Sequence, residues 1–166
     1  EDVQLELISL SDLYYQLGKI GGFLDSAGET SALEYFTKAI NNDHFSYPFQ
    51  KADARFQRAM IYRQKGWNQK AIEDLIYAVD VCPAHYAAWV RLGYIARDVE
   101  RDLTRAENYF SQAIALNDQQ LPAYFGLGHV LQEAGKQTRA EEIYTKILAI
   151  DPQNQEALDM LQLLGQ

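Results

Sequence analysis

The sequence predicts an all-α fold: a solenoid of antiparallel helix pairs, about four repeats and a C-terminal capping helix, in a single domain over 1–166. Three observations predict it. Residues 54–83, 88–118 and 123–152 are variants of one segment. Within them Ala71, Ala106 and Ala140 stand 35 and 34 residues apart, and Leu75/Phe110/Tyr144, Ala78/Ala113/Ile147 and Pro83/Asp118/Pro152 repeat those steps. Several unrelated residue types keeping one spacing mark a stacked repeat. Each segment also carries two apolar stripes of helical period with a break between them. Finally, 48% hydrophobic against 23% charged residues supplies enough apolar surface for a continuous buried core.

The first unit, 1–42, is degenerate. Ala32, Phe36 and Ala39 give its second helix, Leu17-Gly18 resembles Leu92-Gly93, and Leu10, Leu13, Leu17, Ile20 and Leu24 are expected to form its packing stripe. An extended junction, 43–51, follows, and His44, Phe45 and Tyr47 are unusual residues for a plain connection. It is either a binding loop or, the preferred reading, an added half-turn with its aromatics packed down.

Repeats two, three and four occupy 52–85, 86–120 and 121–154. Small residues (Ala59, Gly93 and Gly128 in the first helices, Ala71, Ala106 and Ala140 in the second) allow close backbone approach, with Tyr62, Phe110 and Tyr144 as aromatic knobs between helices. Trp89 and Tyr124, at matching positions, are expected to pack between adjacent hairpins. Gly135 ends the first helix of the fourth unit, since glycine adopts a left-handed backbone cheaply, and Pro152 closes that unit. The third repeat has one residue more than the others, and it falls in "ARDVERDL", 96–103. Over 155–166 a final helix is expected to cap the stack with Leu158, Leu161 and Leu164.

In period and residue order the chain resembles the tetratricopeptide repeat family. Trp89, Leu92, Gly93, Ala106, Phe110 and Ala113 match the family pattern residue by residue; Tyr124, Leu127, Gly128, Ala140, Tyr144 and Pro152 do so with conservative variation. Arg55 and Arg58 depart from it, standing where Trp and Leu are usual. The resemblance covers 52–152 and implies a right-handed superhelix whose concave surface is lined by the first helix of each pair. It also implies a protein–protein interaction module.

On that surface the repeat alignment places Tyr15, Phe56, Val90 and Phe125 in one column and Lys19, Met60, Tyr94 and His129 in the next. Arg63, Arg97 and Gln132 follow in a third, with Gly22 in the first unit. If open, these rows form an apolar stripe with two arginines, suited to a mainly apolar peptide or helix carrying an acidic residue. The alternative is that several are buried between helices, with Arg97 bonding Glu100 or Glu133. Chaperone adaptors of this family hold a partner's C-terminal carboxylate with a lysine, asparagine and arginine clamp. Its lysine and asparagine positions fall on Phe56, Val90, Met60 and Tyr94, and only Lys19 offers charge, so that clamp is not expected here.

The remaining observations narrow the function. A net charge of −8 argues against a nucleic-acid partner. No apolar run approaches the roughly 18 residues of a membrane span, so direct membrane insertion is not expected. His44, His85 and His129 lie far apart without ligand spacing, and no phosphate loop, nucleophile elbow or calcium loop occurs. The chain is therefore expected to be no enzyme and to need no cofactor or metal. The single cysteine, Cys82, reads as a small apolar residue at a helix end and leaves the compartment open. The start at Glu1-Asp2 suggests a segment of a longer protein. Two other functions stay open: a scaffold that forms homo-oligomers through its ends, and the recruiting lobe of a larger enzyme or export assembly.

Overall fold

The computed structural model describes residues 9–21 and 26–165, and every regular element among them is helical. Gly22 and Leu24 lie outside the described residues. Contacts divide the chain into two compact units, Glu1–His85 and Tyr86–Gln166.

In the first unit α1 (Leu10–Gly21) pairs with α2 (Ser26–Asn42), α3 (Pro48–Gln64) pairs with α4 (Asn68–Val81), and α2 packs on α3. Gly18 sets the first pairing: a Cβ there would sit 2.7 Å from the Phe36 ring. That contact decides which face of α1 is buried, and the face is Ser11, Asp12, Tyr15, Gly18 and Gly21. The expected leucine stripe lies largely on the opposite side of the helix, leaving Leu10, Leu13 and Ile20 at 51, 47 and 62% exposure.

The buried polar pair at the start of α1 anchors the junction. Ser11 Oγ accepts from Asn42 Nδ2 (3.1 Å) and the His44 amide (2.9 Å), and the Asp12 carboxylate accepts from the Ser46 amide (3.3 Å). Phe45 packs on the core, while His44 and Tyr47 are exposed. Residues 48–51, expected in the junction, form an extra first turn of α3, because Pro48 at its first turn supplies a helical φ without losing a needed donor.

The departures at Arg55 and Arg58 also acquire a reason. Arg55 and Asp74 stand one repeat before Trp89 and Tyr109. Where the third repeat stacks two rings (5.9 Å between centroids), the second holds an ion pair, Arg55 Nη1 to Asp74 Oδ1 at 2.9 Å. Arg58 replaces the leucine of position 92 and donates to both Asp74 oxygens, Nε at 2.7 Å and Nη2 at 2.8 Å. Tyr62 is not an interhelical knob. It is half-buried against Trp67, and the fully buried Leu75 fills the position of Phe110 and Tyr144 opposite Ala59.

The second unit contains α5 (Tyr86–Ile95), a π turn (Ala96–Glu100), α6 (Leu103–Leu116), α7 (Leu121–Glu133), α8 (Gln137–Ile150) and α9 (Gln155–Leu164). Its centre is Phe110, fully buried, with Gly93 on one side and Gly126 on the other; added Cβ atoms would lie 2.7 and 2.3 Å from the ring. Gly128 receives Tyr144 in the same way. Trp89 packs on Tyr109 of its own pair, and Tyr124 is buried. In α9 the capping contacts come from Ala157, Met160, Leu161 and Leu164, whereas Leu158 is 42% exposed. Ala157 repeats the buried Ala123 and Ala88, while Leu158 stands at the position that Tyr124 buries in the preceding repeat.

The π turn absorbs the extra residue of the third repeat, since each π turn holds one residue more than an α turn. It ends on Arg101 in the left-handed region (φ 57°), the role that Gly66 (φ 74°) and Gly135 (φ 70°) play in the neighbouring repeats. An L side chain is strained there by about 1–2 kcal/mol. Arg101→Gly is therefore expected to stabilise the second unit by about 0.5–1 kcal/mol, after glycine's greater chain entropy is set against the relieved strain. Urea unfolding checks this.

Candidate functional site

The first helices carry the expected columns, and the two units treat them differently. In the first unit Tyr15 is only 5% exposed and cannot serve as an open contact. Its hydroxyl donates to Asp53 Oδ2 at 2.6 Å, and burial together with that carboxylate raises its pKa. Lys19 is exposed, its Nζ 5.4 Å from the centre of the Tyr15 ring. Phe56 and Met60 are half-buried on α3, and Arg63 is turned to the helix end, where Nη1 donates to Asn68 Oδ1 at 2.6 Å.

Asp53 and His85 complete this cluster, and the sequence reading missed both as members. His85 is buried, its ring 4.9 Å from Phe56 and 5.6 Å from Phe49, with Nε2 3.7 Å from Asp53 Oδ1. Burial pushes the Asp53 carboxyl up, but hydrogen bonds from His85 and Tyr15 outweigh it and hold the group below the usual carboxylate range. One signal was available: Asp53 lies three residues before Phe56, on the same helical face.

In the second unit Val90, at 6% exposure, is core rather than surface, because α5 buries it together with Leu92 and Gly93. The other five expected residues converge. Tyr94 lies edge-on to Phe110 (5.0 Å) and donates to the Pro122 carbonyl at 3.2 Å. The Arg97 guanidinium sits 5.4 Å from the centre of the Tyr94 ring, with Nη1 3.4 Å from His129 Nδ1. Phe125 and Tyr144 flank the His129 ring at 6.5 and 6.3 Å, and Gln132 Oε1 accepts from the Tyr144 hydroxyl at 3.4 Å. Arg97 is ion-paired: Nε lies 2.6 Å from Asp98 and 3.8 Å from the expected Glu133. Glu100 goes to Arg105 instead, at 3.0 Å. Burial raises the Tyr144 phenol to about 12.

Burial, then the Arg97 charge, lower the His129 pKa below its usual 6.5. The unfolded chain therefore takes up this proton first as pH falls, so His129 contributes a loss of stability from about pH 6.5 down to its native pKa. His129→Gln is expected to flatten that part of the stability curve. Urea midpoints of the two proteins between pH 7.5 and pH 5 check the difference.

No helix among the described residues is long and apolar enough to cross a membrane, and no group of three or more His, Cys, Asp or Glu among them is placed to hold a metal ion. Two tetratricopeptide repeat models match the chain, over residues 52–85 and 100–164. Protein O-mannosyl-transferase TMTC3 of Homo sapiens is 31% identical over 78 residues, 47% of this chain and 8% of that protein. The UDP-N-acetylglucosamine–peptide N-acetylglucosaminyltransferase of Giardia intestinalis is 31% identical over 99 residues, 57% of this chain and 7% of that protein. The chain thus spans less than a tenth of the length of these two relatives.

Among solved structures, MamA superposes with a TM-score of 0.79 at 23% identity, covering 93% of this chain and 80% of that one. The first tetratricopeptide domain of Spaghetti (RPAP3), bound to the HSP90 peptide SRMEEVD, gives 0.63 at 24% identity, covering 70% and 94%. YrrB, a tetratricopeptide protein with an unusual peptide-binding site, gives 0.75 at 19%, covering 91% and 74%. The repeat spacing, the glycine–aromatic packing and the matched residues lead to one assignment: the chain belongs to the tetratricopeptide repeat family.

Proposed function

We propose that the chain is a protein–protein interaction module that holds a mainly apolar segment of a partner against its first-helix faces. One observation carries this reading. Phe56 and Met60 on α3, with Tyr94 on α5 and Phe125 and His129 on α7, remain part-exposed on faces where a solvated helix ordinarily presents polar groups. Each 100 Å² of apolar surface covered there contributes about 2.5 kcal/mol, before the costs of association. Peptide binding by RPAP3 and YrrB supports the same use of the fold. An acidic residue of the partner, expected from the sequence, would have to draw Arg63 from Asn68 in the first unit, or Arg97 from Asp98 in the second.

The test is affinity capture from the native cell extract with two baits, wild type and Tyr94→Ala/Phe125→Ala, the variant first shown by circular dichroism to be folded. A partner held by wild type and lost by the variant supports the reading. A partner held equally by both contradicts it. A second reading, self-association through the end helices, is favoured by the exposure of Leu158 and Leu163 on α9. A light-scattering mass above that of one chain, restored to one chain by Leu158→Glu, would support it.

A further inference from the structure

We propose that the second unit's face selects a cationic partner residue: a lysine or arginine next to a large apolar side chain. This rests on the reading of that face as a docking surface and names the chemistry it prefers. The apolar part is the half-buried pair Phe125 and His129, with Tyr94 beside them. The charge around them is not what the arginine alone suggests. Arg97 is engaged by Asp98 at 2.6 Å, has Glu133 at 3.8 Å, and directs Nη1 to His129 Nδ1 at 3.4 Å. Glu156 of α9 reaches within 3.9 Å of the other ring nitrogen of His129.

Asp98, Glu133 and Glu156 are all exposed. These three carboxylates and Arg97 surround His129, so with the ring neutral the four groups carry one positive charge against three negative, a net −2. Arg91 adds a second positive charge on the Tyr94 side of the face, which leaves the carboxylates in excess by one over the whole patch. Beyond the last pair the column continues in the same sense: Asp159, exposed, stands 34 residues after Phe125. A partner carboxylate would meet an arginine already neutralised by Asp98 and two further carboxylates that repel it. A lysine or arginine would meet carboxylates that share one arginine among them, beside aromatic faces that attract cations.

The experiment pans a library of short random peptides displayed on phage, at low salt, against wild type and against Glu133→Gln/Glu156→Gln. The variant removes charge without changing side-chain size, and circular dichroism verifies its fold. Wild type is expected to enrich peptides pairing Lys or Arg with Leu, Met or an aromatic residue, and the variant to keep the apolar preference while losing the basic one. By fluorescence polarisation, replacing the basic residue of an enriched peptide with Gln is expected to weaken binding to wild type about tenfold, and to matter little for the variant.

Enrichment of acidic peptides, no charge bias or no enrichment overturns the proposal. Phe125→Ala separates the two levels. If it abolishes binding of peptides that show no charge preference, the face stands and only the cation preference fails. If enriched peptides bind Phe125→Ala as well as wild type, the docking face itself is wrong.

Discussion

Gly126→Ala is expected to destabilise the second unit by about 2–3 kcal/mol, at the upper end of core overpacking. The new Cβ would lie 2.3 Å from the Phe110 ring, and the ring has little room to yield, since it packs against Gly93 so closely that a Cβ there would lie 2.7 Å from it. Phe110→Ala, which empties the same slot, is expected to cost about 3–5 kcal/mol. The two changes share one space, so their effects do not add: Gly126→Ala/Phe110→Leu should be more stable than the sum of its single changes. Each unit has one tryptophan, Trp67 in the first and Trp89 in the second, so urea unfolding followed by Trp89 fluorescence in a Trp67→Phe background reads this unit. Additive losses would show that the ring is free to move.

Asp74→Ala is expected to destabilise the first unit by about 2–4 kcal/mol. Removing one partner of a buried pair costs about 3–5 kcal/mol when the other charge is stranded, and some is recovered here because the Arg55 and Arg58 side chains keep 23 and 12% exposure. Arg55 Nε is already buried without a hydrogen-bond partner among the described residues, so little inside the unit can compensate. The triple change Arg55→Trp/Arg58→Leu/Asp74→Tyr installs the residues of the next repeat at the same three positions. It is expected to be neutral or stabilising, as buried ion pairs commonly give way to apolar packing without loss. Unfolding followed by the first unit's tryptophan fluorescence in a Trp89→Phe background checks both. A triple variant as damaged as Asp74→Ala would mean that the charges hold the geometry of α3 and α4.

The repeat and its packing rule were legible because they rest on spacing. Gly93 with Phe110 and Gly128 with Tyr144 recur at fixed steps, and the extra residue of the third repeat was located to the segment that holds the π turn. The leucine stripe of α1 misled because periodicity gives a face but not its direction. Gly18, which carries no side chain, decides the direction through Phe36. Gly126 escaped notice for a related reason: its repeat column holds no second glycine, since its equivalents one repeat back and one forward are Arg91 and Met160. Five of the six second-unit site residues came together, whereas burial of Tyr15 and Val90 depends on how closely helices approach, which spacing leaves open. The charge balance around His129 was hidden because Glu156 comes from α9, outside the aligned repeats.

The most direct measurement is amide chemical-shift mapping of the labelled chain with the tightest peptide from the library. Perturbations are expected to centre on Tyr94, Phe125 and His129, with Glu133 and Glu156 responding to the peptide's basic residue. Perturbations confined to the second helices, at Ser111 and Lys146 for example, with Phe125 and His129 unmoved, would contradict the claim that the first-helix face receives the partner.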